Sequence, residues 1–271
     1  MTEIPKQFGR DPGVKTPAAG ESPSTYQVQV VERALQLLTL VADKQGLTLT
    51  ELARRSGNSK ARTFRLLHTL EAAGFILRKG SEPGFRLGYQ ALRLGVRAAE
   101  QIDLVRVAQP VVEAIGHRCD ETVQLRVRDG RDSMCICRWE TDKIVRYHTE
   151  VGRRVPLHAG SGRLLLAFAP AELQREVLAA PLMGFTPNTP VTTEQLAREL
   201  AGIRKEDLCV SQGELEAGAI SAGASVRDAT GEVVAVFIVA APIARVPEAR
   251  LAELVALARE GAAAITRGLG G

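Results

Sequence analysis

Apolar residues recur at helical spacing from Val30 to Lys44, where Val31, Ala34, Leu35, Leu38 and Val41 share one face. A second helix is predicted after Thr48, whose hydroxyl caps it while Glu51, three residues on, reaches back in the reciprocal capping box; Gly57 stops it. A third starts at Ser59 and buries Leu66, Leu67 and Leu70 against the helix before it. Beyond Gly74 the pattern changes. Residues 75–79 and 85–88 are two short strands around the polar turn 80–84, which makes a β-wing behind a helix-turn-helix. From Tyr89 to Gln101, Leu92, Leu94, Val96 and Ala99 are interleaved with Arg93, Arg97 and Glu100. That is a connecting helix, serving as a dimer contact or as a spacer.

The larger remainder opens with a helix from Leu104 to His117 and turns to strands. Thr122–Arg128 alternates with period two, a turn falls at Asp129 and Gly130, Met134–Trp139 returns, and a third strand is expected near Ile144 to Thr149. A glycine-rich turn, residues 156–162, then opens a helix through Leu164–Phe168. Further helices are predicted over Ala171–Ala179 and Glu194–Lys205, separated by a loop rich in Pro, Thr and Asn. Strands follow at residues 209–211 and 220–226. The run Val233–Ala240 is almost wholly apolar and so central in its sheet, and a helix closes the chain over 247–266. Helices bracketing an antiparallel meander give an α+β fold that holds a small ligand over one sheet face. The expected layout is an arm over 1–25, a winged helix-turn-helix over 26–88, a linker helix over 89–102 and a ligand domain over 103–271.

Charge sharpens this division. Residues 26–99 hold 12 Lys and Arg against 5 Asp and Glu, while the whole 271-residue chain is only +4, so a basic front precedes a slightly acidic body. One end is thereby suited to nucleic acid. Residues 1–25, with Pro5, Pro12, Pro17 and Pro23 and no apolar period, read as a flexible arm. Neither a signal peptide nor a run of about 18 apolar residues is present, so a cytoplasmic protein without a membrane partner is expected. Cys119, Cys135, Cys137 and Cys209 are too scattered for a disulfide framework. The Cys135–Cys137 pair lacks the second ligand pair a metal site needs, so neither a metal nor a cofactor is expected.

The chemistry of the front end lies on the third helix. A recognition helix meets base edges with its amino-terminal residues, and Arg bonds guanine in bidentate fashion. Lys60, Arg62, Thr63 and Arg65 are therefore the leading DNA contacts, with Thr50, Ser59 and His68 around them and Arg78, Lys79 and Arg86 of the wing beside the flanking phosphates. In the body, His158 either touches a ligand or buttresses the glycine turn. Arg138 and Arg146 either pair with an anion or line an exposed sheet face. Glu214 and Glu216 suggest an acid–base pair but have no partnered nucleophile.

Read together, "LTELARRSGNSKARTFRLLHTLEAAGFI", "VGRRVPLHAGSGRLLLA" and "GELEAGAISAGASVRDATGEVVAVFIVAAPIARV" resemble the isocitrate-lyase-regulator (IclR) family of bacterial transcription factors from about residue 26 to the end. The resemblance implies a winged helix joined to a GAF-like effector domain, acting as a dimer or dimer of dimers on a double-stranded DNA operator, as repressor or activator. It places an effector pocket at Ala159, Gly160 and Ser161, along Ser211 to Ala219, and at Ser221, Ile238 and Ala240. Backbone N–H groups at the glycine turn would then suit a carboxylate. The turn is one residue shorter than the usual family form. Apolar Ala219, Ile238 and Ala240, where one branch uses serines for a small keto acid, imply a bulkier or aromatic organic acid. Rival readings are a ligand-independent DNA-binding protein with a vestigial sensor domain, and an enzyme with an accessory winged helix.

Overall fold

The computed structural model describes residues 28–78, 84–101 and 103–271. The arm over 1–25, Lys79 and most of the wing turn lie outside the described residues. Two compact units divide between Arg97 and Ala98.

In the first unit, α1 (Gln29–Asp43), α2 (Leu49–Ser56) and α3 (Lys60–Ala72) precede an antiparallel hairpin of β1 (Ile76–Arg78) and β2 (Phe85–Leu87). The capping box at Thr48 is present. Thr48 Oγ accepts from Glu51 N at 3.3 Å, and the Glu51 carboxylate takes the Thr48 N–H at 2.8 Å. Those bonds hold the Glu51 carboxyl below the usual carboxylate range. Gly57 ends α2 in the left-handed region, φ 66°, which a residue with a Cβ rarely adopts. Leu37, Val41, Leu47, Leu52, Leu66, Leu67, Ile76 and Phe85 form one core. α4 (Tyr89–Gln101) follows, exposing Tyr89, Leu92, Leu94 and Val96.

The second unit is an antiparallel sheet of order β5-β4-β3-β8-β7-β6. Its strands are β3 (Thr122–Asp129), β4 (Asp132–Trp139), β5 (Arg154–Pro156), β6 (Leu208–Gln212), β7 (Ala219–Arg227) and β8 (Val233–Pro242). On one face pack α5 (Asp103–Cys119) and α9 (Glu248–Gly268), over Val123, Leu125, Ala222, Ala224, Phe237 and Val239. On the other, α6 (Arg163–Ala167), α7 (Ala171–Ala179) and α8 (Thr193–Glu206) meet Val236, Ile238 and Ala240. Because side chains alternate along a strand, β3 sends Val123 and Leu125 to the first face and Thr122, Gln124 and Arg126 to the second.

The strand expected near Ile144 to Thr149 is not one. Side chains, not a ladder, hold that stretch: Thr122 Oγ donates to Tyr147 O at 2.5 Å and Arg245 Nη1 to Val145 O at 2.7 Å. The third strand of that meander is instead β5, paired with β4 through Ser133 and Val155. Among the described residues no helix is long and apolar enough to cross a membrane.

Candidate nucleic-acid interface and ligand cavity

Ser59 caps α3, its Oγ accepting from Arg62 N at 3.3 Å. Lys60, Arg62, Arg65 and His68 are exposed along the helix, and Thr50 is exposed in the first turn of α2. Lys60, Arg62 and Arg65 form no ion pair with the described residues, so their charge faces solvent. Thr63 corrects the sequence expectation. It is fully buried and its hydroxyl donates to Ser59 O at 3.0 Å, so it packs inward with Leu66 and Leu67. Phe64 holds the outer position instead, 47% exposed, with its ring stacked on His68 at 6.2 Å. The sequence reading passed over it because Phe at helical spacing reads as core. In the wing, Arg86 is exposed. Arg78 is engaged, 3.2 Å from the Glu71 carboxylate and 5.0 Å above the Phe85 ring.

In the second unit, a small cavity of about 20 Å³ lies against the β3, β7 and β8 side of the sheet that faces the glycine turn. Ala159, Ser161, Ser221 and Ile238, all expected effector residues, line it. Strand register explains the meeting. Thr122, Ala240, Ser221 and Ser211 form one row across four strands, and Gln124, Ile238 and Gly223 the adjacent row. Ser161 bridges from the turn, its hydroxyl 2.8 Å from that of Ser221. Gly160, Ser211, Ala219 and Ala240 sit outside the lining, Ala219 and Ala240 in the apolar cluster beneath α6–α8.

The glycine turn is not the open anion site the sequence suggested. The Gly160 N–H donates to Glu214 Oε2 at 3.0 Å, and the helix that follows is only five residues long. Glu214 also pairs with Arg163, which is itself buried and reaches Glu199 as well. Burial pushes the Glu214 carboxyl up, against the pull of Arg163 and the Gly160 N–H. Glu216 is exposed and pairs with Arg153 at 3.2 Å. His158 buttresses: its Nε2 lies 2.8 Å from Met183 O and its ring stacks on Phe185. Arg138 and Arg146 converge on Glu140 together with His148. Although burial works against it, these partners hold the Glu140 carboxyl down at about 2.

The lining also includes Leu215, within the expected stretch Ser211 to Ala219, and Gln124, Arg126, Ser133, Tyr147 and Val155, which the sequence reading did not choose. Period-two alternation on β3 does not say whether its polar face is wet, and the cover on both sides of the sheet brings Gln124 and Arg126 inside. All four cysteines are buried and free. Burial pushes the Cys137 thiol up to about 12 and that of Cys209 up to about 11. No group of three or more metal-ligating side chains forms among the described residues.

Comparison with known proteins covers both units. Residues 30–80 match the family model described as the IclR helix-turn-helix domain, and residues 96–267 that described as bacterial transcriptional regulator IclR C-terminal. The chain is 32% identical over 244 residues to the HTH-type transcriptional regulator KipR of Bacillus subtilis, spanning 89% of this chain and 97% of that one. It is 29% identical over 276 residues to the transcriptional repressor IclR of Escherichia coli, spanning 100% and 99%. Among solved structures, an IclR transcriptional regulator from Alicyclobacillus acidocaldarius superposes with a TM-score of 0.83 at 27% identity, over 91% of this chain and 100% of that one. An IclR homologue from Microbacterium hydrocarbonoxydans, complexed with 4-hydroxybenzoate, gives 0.78 at 27% identity over 89% and 98%. These relatives carry the names of regulators or their homologues, and none of them that of an enzyme.

Proposed function

Because the chain belongs to the IclR family of bacterial transcriptional regulators, DNA-binding proteins with a C-terminal ligand domain, we propose that it is a one-component cytoplasmic regulator whose DNA affinity a small organic acid controls. The observation that carries the reading is the outer face of α3: a capped helix presenting Lys60, Arg62 and Arg65 without a carboxylate partner among the described residues. Such a face supplies phosphate attraction and, through arginine, guanine readout. The acid binds in the cavity lined by Ala159, Ser161, Ser221 and Ile238, and the 4-hydroxybenzoate held by the Microbacterium homologue supports that class of ligand. The exposed Leu92, Leu94 and Val96 of α4 support self-association as a dimer or dimer of dimers, which pairs two reading helices on a partly palindromic operator. The ligand acts by binding two arrangements of that assembly unequally, so one mechanism serves a repressor or an activator.

The test is a salt-titrated mobility shift on the DNA upstream of the protein's own gene, with organic acids added. Arg65→Ala is expected to lower specific binding by about 1–3 kcal/mol and to spare random duplex. An equal loss on both makes Arg65 a phosphate contact, and no preference for any promoter fragment at low salt refutes the reading.

A further inference from the structure

Two arginines are buried in the second unit, each 4% exposed, and their surroundings differ. Arg163 has two carboxylates, Glu214 and Glu199. Arg126 has none among the described residues. Its Nε donates to Ser133 Oγ at 3.0 Å, its Nη2 to Ser133 O at 2.7 Å and to Arg153 O at 2.8 Å, and its Nη1 to Gln124 Oε1 at 3.0 Å. All four acceptors are neutral, and one of the five guanidinium hydrogens, on Nη1, is left over. A guanidinium stays protonated in proteins, and a buried charge without a counterion costs several kcal/mol. Burial accordingly pushes the group down from its ordinary value. Its direction follows the ordinary alternation of β3, whose pairing with β8 runs unbroken through Arg126 and Val236.

Arg126 lines the cavity and, among the described residues, is the one charged group that does. Around it the wall mixes polar Gln124, Tyr147 and Ser161 with apolar Val155, Leu215 and Ile238. We infer that Arg126 is the charge anchor of the effector site and that this chain takes small monocarboxylates, the ligand's carboxylate supplying the counterion the protein withholds and its apolar body facing Val155, Leu215 and Ile238. The inference rests on the reading of this unit as an effector domain and goes beyond it in naming the residue and the ligand's charge. A carboxylate displacing Gln124 Oε1 takes both Nη1 hydrogens. A dianion leaves its second charge unpaired, and a neutral amide gains nothing from the guanidinium.

Thermal-shift and calorimetric titration of the full chain decide the matter, using pyruvate, butyrate, benzoate and 4-hydroxybenzoate, each beside its uncharged amide at equal ionic strength. At least one acid is expected to raise the Tm where its amide does not. Arg126→Gln should weaken that acid at least 100-fold, Arg126→Lys at least tenfold, and in acid-free buffer Arg126→Gln should melt no lower than the parent. Stabilisation by no acid of the set, equal stabilisation by amides, or affinity in Arg126→Gln within threefold of the parent overturns the inference. If Arg126→Gln does not fold, the structural role it then reveals also overturns it unless Arg126→Lys folds and shows the tenfold loss. Mobility shifts separate this from the broader reading. An acid that binds through Arg126 without altering DNA retention refutes the regulatory reading alone, whereas one that alters retention equally in parent and Arg126→Gln refutes the anchor alone.

Discussion

Glu214 and Glu216 look alike in the sequence and should behave very differently when removed. Glu214 is 7% exposed and its carboxylate satisfies the Gly160 N–H and one side of buried Arg163. Glu214→Ala leaves that N–H without a partner, at about 1–3 kcal/mol. It also takes one of two carboxylates from Arg163; breaking a lone buried pair costs about 3–5 kcal/mol, and the retained Glu199 offsets much of that. The sum is about 3 kcal/mol. For a domain the size of the second unit, roughly 2–4 °C of Tm accompanies each kcal/mol, so a fall of about 6–12 °C is expected. Glu216→Ala removes a surface pair with Arg153, side chains 47% and 37% exposed, worth about 0–1 kcal/mol. Scanning calorimetry of both variants beside the parent, at neutral pH and moderate salt, measures the contrast. Melting temperatures within 2 °C of each other would refute the claim that Glu214 ties the turn to the sheet.

Thr48→Ala removes both hydroxyl bonds of the capping box and should cost about 1 kcal/mol, with Thr48→Ser restoring it; denaturant unfolding and operator affinity read the loss. Glu140, held at about 2, stabilises the native state above its unfolded value, and that contribution fades as pH falls from about 4.5 to about 2. The Tm difference between the parent and Glu140→Gln should therefore be largest above pH 5 and vanish near pH 2, and a pH-independent difference would count against the pairing with Arg138, Arg146 and His148. Gly223→Ala would set a Cβ 2.9 Å from that of Ser161 and 3.0 Å from Val236 Cγ2, pushing the turn off the sheet. Calorimetry should show a loss of about 1–3 kcal/mol, and the acid titration a weaker site.

Local signals carried most of the architecture. The Thr48 box, the Gly57 stop, the Ser59 cap and the period-two runs each act within a few residues, so spacing alone reveals them. The strand misplaced at Ile144 to Thr149 failed for the opposite reason. Its backbone is held by Thr122 and Arg245, 25 and 100 residues away from the carbonyls they bind, and no local pattern encodes that. Thr63 was misjudged because a hydroxyl on a helix bonds back to the preceding turn as readily as outward. In the cavity, Ala159, Ser161, Ser221 and Ile238 came from resemblance to a family. Arg126, Gln124 and Tyr147 required the sheet itself, since whether a polar strand face is wet or covered depends on which helices lie over it.

The four sheltered thiols set what this molecule ignores. Nucleophilic attack on peroxide and exchange with a disulfide both need a thiolate within reach of solvent. Cys119, Cys135, Cys137 and Cys209 are all buried, and burial raises every one of them above the ordinary thiol value. Peroxide and small disulfides thus find no accessible thiolate on the native chain.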